Sequence, residues 1–260
     1  MGHSSFMIKV GINGAAGRMG LRLVSLISQQ TDLKLTLALE RPNHPDIGKD
    51  IALLAGFDKP SGVVLTDNIK SRTADIILDF STPPATINCL EACKKYHMAL
   101  LAGTTGLNNI QIDKIKKASR YIPCLVSPNL SWGANWLFEL VGQTTHKIGE
   151  EAEIEIIEMH HATKKDSPSG TALRLKETIT QINRNRPLRG KKKDIPIHSL
   201  RIGRVVGEHK VIFGLPGERI ELTHRVDNRD AFAEGAIKTT RFLARAKPAF
   251  YTTKQVLGVI

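Results

Sequence analysis

The chain has 260 residues, 41% of them apolar, which is enough for one large core or two modest ones. No stretch approaches the ~18 consecutive apolar residues of a membrane span, and Met1–Ser5 lacks the charged and apolar regions of a signal peptide, so we expect a cytoplasmic protein. An acidic small-molecule substrate, or solubility alone, explains the net charge of +12 better than nucleic acid does, because the basic residues are spread out and aromatic residues make up only 5%.

The first half of the chain alternates predicted strands with predicted helices. Ile8–Ile12 is a short apolar strand, a glycine-rich turn follows, and an amphipathic helix with Met19, Leu23, Leu26 and Ile27 on one face leads to a second strand, Leu33–Leu39. The same rhythm continues through Ala74–Phe80, Pro84–Tyr96, Ala99–Ala102, Asn109–Ser119 and Ile122–Val126. It predicts a Rossmann-like α/β domain, a parallel sheet with helices on both faces.

The pattern changes near Ser127. A helix is predicted over Ala134–Ile148 and another over Ser169–Ile182, and the predicted strands are Ile154–Met159, His198–Val206, His209–Phe213 and Arg219–Arg225. They predict a smaller α+β domain whose antiparallel or mixed sheet has one open face. Between them, the basic stretch Arg184–Lys193 is expected to be a mobile surface loop.

The chain end is predicted to return to the first domain. The helix Asp230–Arg245 and the tail are apolar enough to pack back on it. We therefore predict a dinucleotide-binding domain of residues 1–129 completed by 242–260, and a substrate-binding and oligomerisation domain of residues 130–241.

The turn after the first strand is a candidate dinucleotide site. Gly14 and Gly17 let the backbone approach a pyrophosphate, and Gly20 lets the helix pack close to the strand, although the spacing is not a strict GxGxxG. Glu40 ends the second strand, where a carboxylate accepts hydrogen bonds from ribose hydroxyls, which favours NAD. Arg41 beside it favours the 2′-phosphate of NADP, so use of both cofactors is plausible.

Two further segments follow strands that should end at the same edge of the sheet. They are Gly103-Thr104-Thr105-Gly106 and Ser127-Pro128-Asn129-Leu130. A Gly-Thr-Thr-Gly turn by itself is compatible with a purely structural role. As a pair, the two segments are expected to line the nicotinamide side of the cofactor.

The segment from Glu158 to Ala172 contains two histidines, two lysines and a Ser-Gly-Thr turn between a predicted strand and a predicted helix. Histidine exchanges protons near neutral pH, lysine attracts carboxylates, and the first turn of a helix offers free N–H groups to anions. The segment therefore predicts acid–base chemistry on an anionic substrate, and a solvated basic loop is the alternative.

Other functional classes are less well supported. The three cysteines are predicted on a helix (Cys89, Cys93) or in an apolar strand (Cys124), so they are expected to be reduced and buried, with no metal site. None is placed as the nucleophile that an acylating aldehyde dehydrogenase needs. A non-catalytic nucleotide sensor or a nucleic-acid binder has no need of the His-His-x-x-Lys cluster.

Several motifs together resemble the 4-hydroxy-tetrahydrodipicolinate reductase (dihydrodipicolinate reductase) family over nearly the whole chain. They are Gly14-x-x-Gly17-Arg18-Met19-Gly20, Glu40-Arg41, Gly103-Thr104-Thr105-Gly106, Pro128-Asn129-x-Ser131, His160-His161 with Lys164-x-Asp166-x-Pro168-Ser169-Gly170-Thr171, Val206–His209 and Glu218–His224. The resemblance implies a reductase of the diaminopimelate route to lysine, passing a hydride from NADH or NADPH to a cyclic unsaturated dicarboxylate. It also implies a homotetramer built through the second domain's sheet.

The same resemblance implies roles for individual residues. His160 is the expected acid–base residue, Lys164 the second proton donor, and His161 with the Gly170-Thr171 turn the expected carboxylate site. The expected cofactor residues are Gly14, Ala15, Ala16, Gly17, Arg18, Met19, Glu40, Arg41, Gly103, Thr104, Thr105, Ser127, Pro128, Asn129 and Leu130. The chain departs from the family pattern at Thr163 and Thr82, which bears on the detail of substrate and cofactor contacts.

Overall fold

A computed structural model describes residues 7–184 and 194–258. The strands are β1 (Ile8–Asn13), β2 (Leu33–Leu39), β3 (Leu65–Thr66), β4 (Ile76–Asp79), β5 (Ala99–Ala102), β6 (Cys124–Val126), β7 (Glu153–His160), β8 (Ile197–Arg201), β9 (Gly207–Leu215), β10 (Glu218–Val226) and β11 (Phe250–Tyr251). The helices are α1 (Arg18–Ile27), α2 (Ile51–Leu54), α3 (Pro83–Tyr96), α4 (Asn109–Ala118), α5 (Trp132–Ile148), α6 (Gly170–Arg184), α7 (Asp230–Leu243) and α8 (Thr253–Leu257). The basic loop predicted at Arg184–Lys193 lies outside the described residues, except that Arg184 ends α6.

The first sheet is parallel and, within the described residues, has the strand order β11-β6-β5-β4-β1-β2-β3. β1 lies between β2 and β4. The chain adds β2 and β3 on one side of β1 and then β4, β5 and β6 on the other side. At such a reversal point the loops beyond the carboxyl ends of the strands diverge and leave room for a ligand. Asn13 pairs with Leu39 on one side and with Asp79 on the other, so these loops start from one edge.

Both faces of this sheet are covered, as predicted. On one face, side chains of α1 and α7 such as Leu23 and Ile237 form a core with Leu78. On the other face, side chains of α3 and α4 such as Leu90 pack with Ile77. Neighbouring residues of β4 therefore point into opposite cores, which explains why the strand is apolar throughout rather than alternating.

The second sheet has the order β10-β9-β7-β8, with β7 and β8 parallel and the other pairs antiparallel. It is therefore mixed, one of the two predicted arrangements. Helices α5 and α6 cover one face, where Phe138 and Leu175 pack with Ile156 and Phe213. Leu200, which pairs with Met159 in register, is 45% exposed, so the predicted open face is present.

The chain divides into two compact units, and the second is Ser131–Ala231. The first unit runs to Leu130 and resumes at Phe232, so this division falls earlier than the predicted boundary at residue 241. The reason is the packing of α7, because Ala236 and Ile237 are fully buried in the core of the first unit. That the first unit binds a dinucleotide and the second binds the substrate is a prediction from the sequence.

Two local expectations need correction. The strand predicted over His198–Val206 ends at Arg201, because Gly203 adopts a left-handed turn conformation with φ of 53°. The segment between β2 and β4 contains α2 and β3, which were not predicted. Helix α2 has only four residues, too few for a visible period, and the side chain of Asp50 caps it by accepting the N–H of Ala52 at 2.9 Å.

Candidate active site

Two glycines in and after the first turn lie so close to neighbouring backbone atoms that a side chain would not fit. Gly14 has φ of 79°, and a Cβ there would lie 2.7 Å from the carbonyl oxygen of Phe80. A Cβ on Gly20 would overlap the carbonyl oxygen of Gly14. Gly20 therefore lets α1 fold back on its own turn, a closer approach than the helix–strand contact expected from the sequence.

The backbone N–H groups of this turn differ in whether they are bonded within the protein. The N–H groups of Gly14 and Ala15 both donate to the carbonyl of Leu39 at 2.9 Å, which fixes the turn to the end of β2. Gly17 is the N-cap residue of α1 and has no side chain. It therefore makes no side-chain hydrogen bond to the N–H groups at the start of α1, where Arg18 and Met19 lie. We call Gly14–Met19, which includes Ala16, the glycine cradle. It ends at the N–H groups of the first turn of α1, the kind of group that binds anions.

The two residues expected to contact the adenosine ribose lie beside this turn. Glu40 directly follows Leu39, is half-buried, and accepts the N–H of Arg41 through Oε1 at 3.0 Å. Arg41 is exposed. An acidic and a basic residue therefore follow one another directly after β2, as the NAD and NADP alternatives both require.

The Gly-Thr-Thr-Gly segment after β5 is tied to the end of β4. Thr104 is buried; its Oγ1 accepts the N–H of Ser81 at 3.1 Å and donates to Oδ1 of Asp79 at 3.2 Å. Burial raises the pKa of Asp79 above its ordinary value, against the hydrogen bonds from Ser81 and Thr104. Thr105 is exposed, and a Cβ on Gly103 would overlap the ring of Phe80. Of the two threonines, only Thr105 presents its side chain to solvent.

The Ser127–Leu130 segment after β6 shows a similar division of roles. Ser127 is buried and its hydroxyl donates to the carbonyl of Asn129 at 2.8 Å. Pro128 is exposed and Asn129 half-buried. The side chain of Leu130 belongs to the hydrophobic core, so it holds the segment in place by packing.

In the second unit, the side chain of an acidic residue lies on the buried face of strand β7. Along β7, Glu153 and Glu155 are exposed whereas Ile154, Ile156, Glu158 and His160 are buried. Glu158 has no exposed surface. A buried carboxylate is costly unless it is paired, so its partners define the site.

Glu158 has partners from three directions. Its Oε1 accepts Nη2 of Arg201 at 2.7 Å and the N–H of Ser169 at 3.2 Å, and its Oε2 accepts Nη1 of Arg201 at 3.0 Å and Nδ1 of His160. Burial alone would raise the pKa of Glu158, but the hydrogen bonds from Arg201, Ser199 and His160 outweigh it and lower the pKa to about 2. Glu158 is therefore ionised, and His160 must donate through Nδ1.

A second histidine lies against His160. The ring of His209 meets that of His160 edge to face, with centroids 5.2 Å apart, and its Nε2 hydrogen-bonds the hydroxyl of Ser169 at 3.0 Å. Burial lowers the pKa of His209 to about 3, so its ring is neutral. Burial also lowers the pKa of His160, whereas the hydrogen bond and charge of Glu158 oppose that change.

Lys164 lies within electrostatic reach of His160. Its charge is one of the influences that lower the pKa of His160, so the two predicted catalytic residues influence each other electrostatically. Its Nζ is bound to Oδ1 of Asp166 at 2.8 Å, and this hydrogen bond lowers the pKa of Asp166. Arg201 donates to the backbone carbonyl of Asp166 at 2.7 Å.

The three predicted carboxylate-binding residues flank this cluster in sequence. Nδ1 of His161 hydrogen-bonds Oγ1 of Thr163 at 2.8 Å, so the departure at Thr163 supplies a partner to that histidine. Gly170 begins α6 and is exposed, and Thr171 is half-buried. The residue before them, Ser169, accepts the N–H of Ala172 through its hydroxyl at 3.2 Å and so caps the helix.

Sequence reasoning missed the roles of Glu158, Arg201 and His209. The burial of Glu158 could have been predicted, because two-residue alternation puts this acid on the same face of β7 as Ile154 and Ile156. No such signal existed for Arg201, since its contact depends on the pairing of β8 with β7, which sets it opposite His160.

Across residues 7–184 and 194–258, no cluster of three or more His, Cys, Asp or Glu side chains is arranged to hold a metal ion. Cys89, Cys93 and Cys124 are free and buried. Within the same ranges, no helix is long and apolar enough to cross a membrane.

Comparison with known proteins places both units in one family. The sequence profile of the dihydrodipicolinate reductase N-terminus matches residues 8–130, and that of the dihydrodipicolinate reductase C-terminus matches residues 133–257. A protein of Methanocaldococcus jannaschii named 4-hydroxy-tetrahydrodipicolinate reductase is 40% identical, over 97% of this chain and 98% of its own. One of the same name from Syntrophus aciditrophicus is 36% identical, over 97% of this chain and 99% of its own.

A solved structure agrees with these matches. Dipicolinate-bound dihydrodipicolinate reductase from Paenisporosarcina sp. TG-14 superposes with a TM-score of 0.79 at 25% identity, over 98% of this chain and 100% of that one. The similarity therefore extends through both units and is not limited to the first, parallel sheet.

Proposed function

This chain belongs to the dihydrodipicolinate reductase family and is an oxidoreductase of lysine biosynthesis, and we propose that His160 and Lys164 carry out the acid–base part of its reaction. The substrate is 4-hydroxy-tetrahydrodipicolinate, which the relatives' names specify, and the product is tetrahydrodipicolinate. The observation that carries the proposal is the buried hydrogen bond from Nδ1 of His160 to Glu158, with the cation of Lys164 close by.

When bound, the nicotinamide dinucleotide would supply the hydride. The substrate's hydroxyl group first leaves as water with a proton from Lys164, and the neighbouring carbon gives a proton back to Lys164, which produces a conjugated imine. Addition of the hydride to this imine leaves negative charge on the substrate's carbon or nitrogen, and a cationic acid beside it stabilises that charge and then protonates it. His160 donates this proton from Nε2, because its Nδ1 is engaged by Glu158. Lys164 exchanges its contact with Asp166 for a substrate carboxylate and is the second proton donor, to the hydroxyl group that leaves as water.

The substrate's two carboxylates need separate positive or N–H sites. We assign one to Lys164 and His161, and the other to the N–H groups that open α6 at Gly170 and Thr171. The dipicolinate bound to the Paenisporosarcina relative is itself a cyclic dicarboxylate, which supports this assignment.

The direct test of the function is an assay with the product of the preceding synthase. We expect the absorbance of NADH or NADPH to fall only when that product is supplied. Oxidation of either cofactor at the same rate without it, or no oxidation with it, would contradict the proposal.

The cofactor is a nicotinamide dinucleotide, and we propose that Gly14–Met19, Glu40, Arg41, Gly103–Thr105 and Ser127–Leu130 hold it. The glycine cradle and the uncapped start of α1 fit its pyrophosphate. Because Glu40 and Arg41 lie side by side at the end of β2, we further propose that the enzyme uses both NADH and NADPH.

Arg41→Ala is expected to weaken NADPH binding by about 1–3 kcal/mol and NADH binding much less, because only NADPH has a 2′-phosphate for the guanidinium. Fluorescence titration of each cofactor measures both dissociation constants. Arg120→Ala, which removes an exposed arginine far along the sequence, is the control. Equal losses for the two cofactors would exclude a 2′-phosphate role for Arg41.

We also propose a cytoplasmic homotetramer assembled through the open face of the second sheet. The three free, buried cysteines suit a reducing compartment. The open face includes half-buried Met159 beside the exposed Leu200, an apolar surface of the kind that subunit interfaces cover.

Light scattering is expected to give a mass of four times 28.6 kDa for the wild type. Leu200→Glu should shift the mass towards smaller species, because it places a charge in the proposed interface. Leu53→Glu is the matched control, since Leu53 is 50% exposed but lies on α2 of the first unit. A wild-type monomer at micromolar concentration would rule out the assembly.

A further inference from the structure

The carboxylate of Glu158 joins three parts of the second unit. From its own strand it accepts Nδ1 of His160, from β8 it accepts both terminal nitrogens of Arg201, and from the start of α6 it accepts the N–H of Ser169. Arg201 extends the connection, because its Nη2 also binds the carbonyl of Asp166, two residues after Lys164. One buried ion pair thus contacts every segment that carries a proposed substrate-site residue.

We propose that Glu158 and Arg201 are positioning residues of this reductase, which together fix the tautomer of His160 and hold the Lys164 segment and the start of α6 around it. The proposal rests on the role assigned above to His160. It concerns residues that do not themselves contact the substrate.

The tautomer follows from what each group is able to donate. An ionised carboxylate only accepts hydrogen bonds, so the proton of neutral His160 must be on Nδ1 and the lone pair on Nε2. When His160 is protonated, the second proton is on Nε2, which is then the atom that gives it up. The charge of Glu158 also stabilises this imidazolium, since an opposite charge at hydrogen-bond distance favours the charged form.

Arg201 is needed because Glu158 has no exposed surface. An isolated buried carboxylate would take up a proton instead of remaining charged, and a protonated carboxyl no longer enforces the tautomer. The two nearly parallel bonds from the guanidinium, at 2.7 and 3.0 Å, keep it ionised. Lysine carries the same charge but cannot make this paired contact and bind the carbonyl of Asp166 as well.

Space on the other side of the ring is provided by Gly207. A Cβ on this residue of β9 would lie 3.1 Å from Nε2 of His160. The charged and titratable groups around the ring are Glu158 on β7, Arg201 on β8, His209 on β9, and Lys164 and Asp166 in the following segment. Glu158 and Asp166 are the anions among them, and only Glu158 hydrogen-bonds the ring.

The test compares Glu158→Gln with Glu155→Gln. Both residues are glutamates of β7 that hydrogen-bond a histidine, but Glu155 pairs with His198 at 2.9 Å on the open face, where both side chains are 54% exposed within one chain. Because this face is the proposed subunit interface, light scattering is used to establish that Glu155→Gln keeps the wild-type mass. Nitrogen chemical shifts of the imidazoles report the tautomer and pKa of His160, and turnover is measured as a function of pH for both variants.

In the wild type we expect neutral His160 to carry its proton on Nδ1. Glu158→Gln should lower the pKa of His160, so the decline of turnover with rising pH should begin at a lower pH. Turnover above that pH should fall about tenfold for each unit by which the pKa drops. Binding of NADH should be unchanged. Glu155→Gln should leave the tautomer, the pH profile and turnover as in the wild type.

A neutral wild-type His160 with its single proton on Nε2 would overturn the inference, and this measurement requires no variant, so it decides the matter even if Glu158→Gln does not fold. An unchanged pH profile in Glu158→Gln would also overturn it, provided that His160→Gln is inactive. Wild-type turnover in His160→Gln would instead reject the proposed function. Arg201→Lys should lower turnover, and wild-type kinetics in that variant would remove Arg201 from the proposal.

Discussion

Replacing His160 with glutamine is expected to lower turnover by about 10²-fold or more, because the side chain that donates the proton is lost. The Michaelis constant for the substrate should change little, since His160 acts on the charge that develops during reaction. Lys164→Ala should lower turnover and raise the Michaelis constant together, because Lys164 is assigned both a carboxylate contact and a proton. Steady-state kinetics on both variants, with NADH binding measured in parallel, test these expectations.

The chain supplies matched controls for both substitutions. His146→Gln removes an exposed histidine of α5, a helix of the same unit that lies on the face of the second sheet opposite to the proposed interface. Lys165→Ala removes an exposed lysine directly beside Lys164. Both controls should keep wild-type kinetics, and NADH binding should be unaffected in all four variants. If His160→Gln or Lys164→Ala kept wild-type turnover, that residue would not belong to the acid–base machinery.

The sequence predicted the first sheet well, because its features are local. Gly14 and Gly17 follow an apolar strand and precede an amphipathic helix, Gly20 lies in the first turn of that helix, and each of these patterns is visible within a few residues. The reason for Gly20 was not predictable, since the carbonyl of Gly14 that excludes a Cβ there approaches only after the turn has folded. The bond between Thr104 and Asp79 joins the ends of two strands and has no local signature either.

The acid–base site shows the same limit. His160 and Lys164 were predicted from one continuous segment, and the structure brings them within electrostatic reach of each other. Glu158 belongs to that same segment, but the groups that keep it charged or pack on His160 come from elsewhere in the chain: Arg201 is 43 residues from Glu158, and His209 is on a third strand. Burial lowers the pKa of His160 and the carboxylate of Glu158 opposes it, and the balance exists only in the folded sheet.

Gly20→Ala is expected to weaken NADH and NADPH binding by about tenfold or more and to lower the free energy of unfolding by about 1–3 kcal/mol. A Cβ at this position would overlap the carbonyl oxygen of Gly14 and crowd that of Ala15, and backbone atoms cannot move aside as a flexible side chain would. The turn must therefore open, and the N–H groups at the start of α1 lose the arrangement that suits a pyrophosphate. Urea unfolding and cofactor titration measure the two effects.

Gly142→Ala is the matched control, because Gly142 is also a helical glycine but has room for a methyl group. The nearest atoms to its added Cβ would be the side chains of Ile182 and Thr178 at 3.6 and 3.7 Å, an ordinary contact distance. Alanine is the better helix former, so this variant should gain about 0.5–1 kcal/mol of stability and bind both cofactors normally. If Gly20→Ala bound cofactor as tightly as Gly142→Ala, the close approach at Gly20 would not be what shapes the cofactor cradle.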